Sequence, residues 1–333
     1  MRSLLLFFES RAGRVVRTLV SVSLLTGFVL LIDWRQIGQL KGQFQVLPVS
    51  LAILLAGVSY PLHAWRWWML FRVQGIGLSL HWSHVVTWIA NFYGAILLGG
   101  LGGDAARAYY ICRDAPSQKT GGLASIAIDR LLGLAILLLM ALAAVALKFQ
   151  QVAASPEFRH LAIVAAVLLL AGVIATGVLF ARSPDRWPGW LRRRLGAGRC
   201  ALFADLRQRT LDAPGVHFVA FLLSVVVWLL DFVSVWLLAL GVGLPLPFFE
   251  TCIAVSVAYA STALPISIGG HGVREGALLF VLGVFGLIMS DGPDRERALL
   301  LAVLVWVVTM IWSLFGGIVM VLTRRPRVPA ASP

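Results

Sequence analysis

The sequence predicts an all-α, polytopic integral membrane protein with two inverted repeats, each containing a broken or re-entrant helical hairpin. Hydrophobic residues make up 59% of the chain and charged residues 13%, with a mean hydropathy of +0.89. A soluble domain, by contrast, is about half apolar and a quarter charged. A glycine-rich segment at 97–109 also has a counterpart at 264–276. Two interrupted apolar segments at matching positions in the two halves of a chain are typical of inverted-repeat transporters.

The two glycine-rich segments correspond at a single offset, which is about half the length of the chain. Each segment places an arginine shortly after a pair of glycines. Glycines allow the backbone to turn within an apolar run, so each segment predicts a break in a membrane helix. The matched pairs are Leu97 with Leu264, Gly102 with Gly269, Gly103 with Gly270 and Arg107 with Arg274.

Apolar runs long enough to enter a membrane follow one another along the whole chain, so we expect a single membrane domain. The first run follows four arginines, as in a secretory signal, but no small-residue cleavage pattern comes after it. We therefore interpret it as an uncleaved first span. The runs lie near 15–32, 47–65, 82–98, 123–147, 160–181, 216–240, 248–264, 275–289 and 298–322.

The linker at 182–215 is rich in arginine, which predicts a cytoplasmic location by the positive-inside rule. Basic residues near both chain ends place the N- and C-termini on the same side. If every run crossed once, the linker would be external, which contradicts its charge. The conflict disappears if 82–98 turns at 99–103 and returns as a half-helix from about Asp104 to Ile111, forming a hairpin that opens to the cytoplasm.

The second hairpin, at about 248–289, has flanks with little positive charge and is expected to open to the outside. The halves 47–147 and 214–322 then each contain a span, a hairpin and a span, as in an inverted repeat. The alternative is that one hairpin crosses fully and its basic flanks do not follow the charge rule.

Composition and motifs exclude several classes of function. The net charge of +13 is distributed between apolar runs, where membrane topology accounts for it, so no nucleic-acid partner is expected. Three separate cysteines match no metal spacing, and neither a metal nor a cofactor is expected. The glycine string follows no strand, so it is not a dinucleotide loop, and the chain has no Walker lysine or hydrolase motif.

Three arginines fall at membrane depth in this topology, each close in sequence to acidic residues. An arginine near the centre of a membrane helix costs roughly 2.5–3.5 kcal/mol on insertion scales, so we expect these side chains to face acids or a cavity. The arginines are Arg107, Arg130 and Arg274, and the acids are Asp104, Asp129, Asp231 and Glu275.

The first glycine segment has the features of an anion site. A helix that starts near Asp104, after Gly102 and Gly103, directs its unpaired amides into the membrane interior, where they attract anions. Arg107 follows one turn later, and its guanidinium suits a phosphate. The alternative is a structural salt bridge of Arg107 with Asp104 or Asp129.

The second glycine segment repeats this pattern, with Arg274 following Gly269 and Gly270. Together the two segments predict one site for an anionic lipid head group. The alternative is again structural, with Arg274 paired to Glu275 or Asp231.

Arg130 and His271 each have two interpretations, and the segment around Arg66 has one. Arg130, next to Asp129, is either a third cavity charge or a side chain that reaches the membrane interface. His271 lies within the second glycine segment and is either a proton-coupling group or a neutral hydrogen-bonding residue. The tryptophans around Arg66, which are Trp65, Trp67 and Trp68, are interpreted as an interface anchor.

Four segments carry a family resemblance: RWWMLFRVQG (66–75), NFYGAILLGGLGGDAARAY (91–109), ASIAIDRLLGL (124–134) and ALPISIGGHGVREGA (263–277). Together they resemble the lysylphosphatidylglycerol synthase transmembrane, or flippase-like, domain family, and the resemblance covers nearly the whole chain. The resemblance implies movement of aminoacylated phosphatidylglycerol, or of other anionic or glycosylated lipids, between leaflets. Family members often carry a cytosolic aminoacyl transferase domain, which this sequence lacks, so lysyl transfer is not expected of this chain.

The expected function is that of a lipid flippase in the cytoplasmic membrane. Its substrate would be an anionic phospholipid, an aminoacyl-phospholipid or a polyprenyl-phosphate-linked lipid, with Arg107 and Arg274 holding the phosphate. The alternative is a membrane subunit or accessory of a lipid- or glycolipid-modifying transferase, which would be a separate cytosolic or membrane partner. In that case Asp129 and Asp231 could form an acid–base pair. A scaffold that only positions lipid-synthesis enzymes is a third possibility.

Overall fold

The computed structural model describes residues 44–96, 102–147, 183–262, 267, 270–288 and 293–323, with isolated positions between 156 and 171. The predicted run at 15–32 lies outside the described residues, as does most of the run at 160–181. Throughout the described part the regular structure is helical. Its α-helices are α1 (Val46–Val73), α2 (Leu80–Ile96), α3 (Gly102–Asp114), α4 (Lys119–Leu147), α5 (Gly189–Leu195), α6 (Ala197–Leu211), α7 (Pro214–Gly241), α8 (Phe248–Ser261), α9 (Val273–Val284) and α10 (Pro293–Leu322).

Four segments of the described chain are long and apolar enough to cross a membrane. They correspond to the runs predicted at 47–65, 123–147, 216–240 and 298–322, and they confirm an all-helical membrane protein with several spans. Each helix extends beyond its predicted apolar run because polar and aromatic residues continue the helix at its ends. The segments are Val46–Val73, Pro116–Leu147, Pro214–Gly241 and Asp294–Leu322.

Four shorter helices form two pairs, α2 with α3 and α8 with α9, and the members of each pair pack against each other. These helices have 17, 13, 14 and 12 residues. At about 1.5 Å per residue each is shorter than the roughly 30 Å hydrocarbon layer. The residues that connect α2 to α3, at 97–101, lie outside the described part of the chain.

Hydrogen bonds identify which helix ends lie together. At one end of the bundle, Gln118 Nε2 donates to the Gly75 carbonyl at 2.7 Å and Arg209 Nη1 donates to the Gln74 carbonyl at 2.8 Å. At the other end, the Gln45 amide donates to the Gly241 carbonyl at 2.8 Å. The hairpin α2–α3 begins just after Gln74, and α8 begins just after Gly241. The two hairpins therefore open toward opposite ends of the bundle.

Small buried side chains allow the long helices to approach closely. Ala52, Ala239, Ala254 and Ala298 are fully buried in the main apolar core, which lies among α1, α4, α7, α8, α9 and α10. In a membrane, where lipid is as apolar as leucine, close van der Waals packing of this kind holds helices together.

A second apolar cluster lies near the Gln74 end of the bundle. Trp67 and Phe71 are both fully buried there, and their ring centroids are 5.3 Å apart with an edge-to-face arrangement. Trp67 was expected to be an interface anchor, and that prediction is wrong for this side chain. Its indole Nε1 donates to Ser125 Oγ at 3.3 Å, which satisfies its only polar atom inside the protein.

Candidate functional site

A cavity of about 390 Å³ lies inside the bundle, at the depth of the membrane-crossing segments. Helices α1, α2, α3, α4, α7, α8 and α10 contribute to its wall. Among the predicted site residues the cavity brings together Gly103, Asp104, Arg107, Asp129, Arg130 and Asp231.

Asp129 lies at the centre of the charged part of the wall. Its carboxylate accepts a hydrogen bond from Arg66 Nε at 2.7 Å and another from Arg107 Nη1 at 3.1 Å. Arg66 also donates to Ser224 Oγ at 2.8 Å and to His63 Nδ1 at 3.3 Å. Because a guanidinium can only donate, His63 Nδ1 carries no proton here. Since Arg66 and Arg107 both bind the one carboxylate of Asp129, the three side chains together carry one net positive charge.

Arg66 is therefore part of the site and not an interface anchor. Its side chain is only 3% exposed, although it follows Trp65 at the end of the predicted apolar run. Helix α1 continues to Val73, which carries Arg66 into the interior. Asp129 then supplies the opposite charge that a buried arginine needs.

Arg130 lines the cavity and pairs with Asp104, with 3.0 Å between Nη1 and Oδ2. Its side chain is also 44% exposed, so both interpretations of Arg130 stay open. Asp104 therefore binds Arg130, while Arg107, one turn further along α3, binds Asp129. Of the two structural partners considered for Arg107, the structure selects Asp129. The two ion pairs join α3 to α4 and leave both arginines at the cavity wall.

Three buried polar atoms of cavity-lining residues make no hydrogen bond of ordinary geometry with the described residues, although the Asn91 side chain lies close to Tyr60. They are Arg107 Nε, Thr87 Oγ1 and Asn91 Nδ2. Each can donate a hydrogen bond, and a buried donor without a partner costs free energy. Thr87 and Asn91 are four residues apart on α2, so they lie on one helix face. The three residues line the cavity, while the unpaired atoms themselves are almost fully covered in this conformation.

Gly103 allows α3 to lie directly against α2. A Cβ atom added at Gly103 would be 2.8 Å from the carbonyl oxygen of Ala90, which is part of the α2 backbone. Gly102 is also buried at the start of α3. The pair therefore sets the distance between the two helices that carry the unpaired donors.

The second glycine segment forms a tight turn before α9. Gly270 and Gly272 have φ angles of +76° and +82°, which other residues rarely adopt, while Gly269 lies outside the described residues. The Gly272 amide donates to Glu275 Oε2 at 2.7 Å. The start of α9 is thus capped by its own glutamate.

Arg274 is buried and pairs with Glu275, to which its Nε donates at 2.9 Å. The guanidinium carbon lies 5.7 Å from the centre of the Tyr259 ring. Tyr259 belongs to the cavity wall, whereas Arg274 does not. Of the two predicted phosphate-binding arginines, Arg107 faces the cavity and Arg274 lies behind it. Arg274 pairs with Glu275, which is one of the two partners that the structural alternative named.

His271 connects the two hairpins. It is buried, and its Nε2 lies 3.1 Å from the carbonyl oxygen of Ala95, near the end of α2. Its Nδ1 has no partner among the described residues. Since a carbonyl only accepts, Nε2 carries the proton, as expected for a hydrogen-bonding histidine.

Asp231 is the remaining carboxylate of the wall. It lies on α7, is partly accessible from the cavity, and makes no ion pair within 4 Å with any residue that the structure describes. Ser59 lies beside it, and Arg274 is close enough to act on its charge. The cavity thus carries a paired basic region and a separate acidic group.

A bundle of apolar helices around a buried, charged cavity defines a polytopic membrane protein with an internal polar site. The sequence profile described as the lysylphosphatidylglycerol synthase TM region matches residues 15–317. The chain therefore belongs to this family, which confirms the resemblance seen in its motifs. No curated protein matches the chain. Membership of the family connects the chain with membrane lipids.

Proposed function

We propose that this protein moves a lipid with an anionic head group between the leaflets of the cytoplasmic membrane. The observation that carries the proposal is the net positive charge of Arg66, Arg107 and Asp129 at the wall of a cavity lined by membrane-crossing helices, with further unpaired donors on the lining residues. A phosphate supplies the acceptor oxygens and the negative charge that this group lacks.

Arg107 is held in place to receive such a phosphate. Asp129 binds its Nη1, and the Trp67 ring lies 4.9 Å from its guanidinium carbon. These two contacts orient the guanidinium and leave Nε unpaired. Because the side chain is already ordered, little conformational entropy is lost when a ligand binds. Thr87 and Asn91 add donors from α2.

The head group reaches either leaflet through alternating exposure of the cavity. In this proposal the halves 47–147 and 214–322 are inverted repeats, and the hairpins α2–α3 and α8–α9 are the moving elements. Their opening toward opposite ends of the bundle supports this assignment. The Gln74 end, where the basic helices α5 and α6 attach, is the cytoplasmic end. Both chain termini are then cytoplasmic.

A leaflet assay tests the proposal. Vesicles containing the purified protein and fluorescent phosphatidylglycerol are treated with a membrane-impermeant reductant, which bleaches only the outer leaflet. Loss of a charge-assisted hydrogen bond, at about 1.5–3 kcal/mol, predicts that Arg107→Gln slows transfer about tenfold to a hundredfold. The matched control Arg193→Gln, on the exposed surface of α5, leaves the rate unchanged.

A variant that preserves the ion pairs separates binding from folding. Asn91→Ala removes an unpaired donor and touches neither Asp129 nor Arg66, so its fold is retained while transfer slows. Equal transfer rates for the wild type, Arg107→Gln and Asn91→Ala, at equal protein content, would refute the proposed site.

A role as the membrane subunit of a lipid-modifying transferase is the second candidate. The presence of Asp129 and Asp231 in the same cavity favours it, because two carboxyl groups in different surroundings can act as acid and base. Mass spectrometry of lipid incubated with the protein distinguishes the two. A changed lipid mass supports modification, and an unchanged lipid in the opposite leaflet supports transport.

A further inference from the structure

We propose that Asp231 is a proton-binding site, and that a proton binds to it together with the anionic head group. The inference rests on the proposed function and adds the ion that drives it. Its basis is the position of Asp231 in the cavity without a cation, together with the charge balance of the wall.

Among the described residues of the wall, three arginines face three aspartates, and His63 is counted as neutral because its Nδ1 accepts from Arg66. When Asp231 is ionised, the formal charges of the wall cancel; when Asp231 is protonated, the wall carries one net positive charge. A phosphate diester carries one negative charge, so it is balanced only in the protonated state. The side chains are Arg66, Arg107, Arg130, Asp104, Asp129 and Asp231.

The surroundings of Asp231 favour a carboxylic acid. Ser59 is within hydrogen-bonding reach of Asp231, and its Oγ also lies 2.8 Å from the Ala56 carbonyl, so the two acceptors compete for one hydroxyl proton. When Ser59 donates to Ala56, only a protonated Asp231 can hydrogen-bond to Ser59 Oγ. An ionised carboxylate without a paired cation is also costly at membrane depth.

The groups that face Asp231 from neighbouring helices do not neutralise it. Helix α1 presents Tyr60, α8 presents Tyr259, and α10 presents Thr309, none of which is charged at neutral pH. Arg274 of α9 is the cation that acts on Asp231, but its charge is balanced by Glu275, to which it is directly bonded. A proton that binds to Asp231 would therefore neutralise the charge that no neighbouring side chain balances.

Proton binding and anion binding are then linked. If a proton at Asp231 strengthens anion binding, the anion must strengthen proton binding by the same factor. Coupling to one proton changes the affinity by at most about tenfold per pH unit. An inward or outward pH gradient would thereby drive the lipid in one direction.

The test measures binding of fluorescent phosphatidylglycerol to the purified full chain in detergent as a function of pH. The wild type should bind more tightly as the pH falls. Asp231→Asn mimics the protonated side chain, so its affinity should be high and independent of pH. Asp205→Asn, which changes an exposed acid on α6, is the matched control and should keep the wild-type pH dependence.

Transfer in vesicles gives the second readout. A pH gradient should accelerate transfer by the wild type and by Asp205→Asn, and have no effect on Asp231→Asn. Asp231→Glu, which keeps a carboxyl group, should retain a response to the gradient. If Asp231→Asn does not fold, labelling of Asp231 by a hydrophobic carbodiimide, which reacts with protonated carboxyl groups, should increase as the pH falls.

The outcomes separate this inference from the proposed function. If Arg107→Gln binds the lipid as well as the wild type does, the proposed site itself fails. If binding depends on Arg107 but Asp231→Asn keeps the wild-type pH dependence, only the proton inference fails. It also fails if Asp231→Asn selectively loses an amine-bearing lipid, since Asp231 would then contact the lipid's ammonium group, or if Asp231 is never labelled.

Discussion

His271 Nε2 and the carbonyl oxygen of Ala95 are 3.1 Å apart, so a hydrogen bond joins the turn before α9 to the end of α2. The two hairpins that open toward opposite ends of the bundle are thus held together at their inner ends. In the proposed transport cycle this bond must break when either hairpin moves.

Replacing His271 should loosen the contact between the hairpins. His271→Ala leaves the Ala95 carbonyl without its donor, at a cost of about 1–3 kcal/mol, because that carbonyl is buried. We expect a lower midpoint of thermal unfolding for the protein. We also expect faster amide hydrogen exchange at the end of α2, in a peptide that ends at Ile96. His81→Ala, at an exposed position on α2, should change neither quantity. Unchanged exchange in His271→Ala would argue against the link.

Asp129 should be the acidic residue of the cavity that matters most for stability. Asp129→Asn leaves the buried Arg66 without its charge partner, and breaking a buried ion pair costs about 3–5 kcal/mol. Asp205→Asn breaks an exposed pair on α6 with Arg209, for which we expect a loss of at most about 1 kcal/mol. Thermal unfolding in detergent compares the two. A similar midpoint for both variants would contradict the central role of Asp129.

The contact of α3 with α2 should not tolerate a side chain at Gly103. Gly103→Ala places a methyl group 2.8 Å from the Ala90 carbonyl oxygen, so α3 must move away from α2, at about 1–3 kcal/mol. Gly198→Ala is the matched control, because no atom lies within 4 Å of the added Cβ. It should be neutral or stabilising, since alanine favours a helix over glycine. Both are measured by thermal unfolding and by lipid transfer.

The two ends of the bundle should be accessible from different sides of the membrane. In a cysteine-free background, Arg193→Cys on α5 should react with a membrane-impermeant thiol reagent only from the cytoplasm. Leu47→Cys, exposed at the start of α1 near Gly241, should react only from outside. Labelling of both positions from the same side would contradict the proposed orientation.

The sequence was sufficient to predict the helical membrane class and the main spans, because apolar runs of about 20 residues with few charges are typical of membrane-spanning helices. It also placed Arg107 and Asp129 at membrane depth, with Asp129 as one of two possible partners of Arg107, and left Arg130 between the cavity and the membrane interface. The pairing of Asp104 with Arg130 was not predictable, because it depends on how α3 is rotated against α4. The rotation of one helix relative to another cannot be inferred from a single sequence.

The missed site residues have recognisable signals in retrospect. Thr87 and Asn91 are polar residues four positions apart in an apolar helix, a spacing that places both on one face. The segment around Arg66 was assigned to the interface because of its tryptophans, which are common there. The burial of Arg66 and its hydrogen bond to Asp129 show that the arginine lies inside the bundle.

Gln74, Gly75, Gln118 and Arg209 form one hydrogen-bonded cluster at the proposed cytoplasmic end. This cluster ties the end of α1 to the start of α4 and to α6, on either side of the hairpin α2–α3. In the proposed transport cycle, movement of α1 away from the start of α4 would first have to break these hydrogen bonds. The cluster therefore favours a passage on this side that opens by movement of α2 and α3.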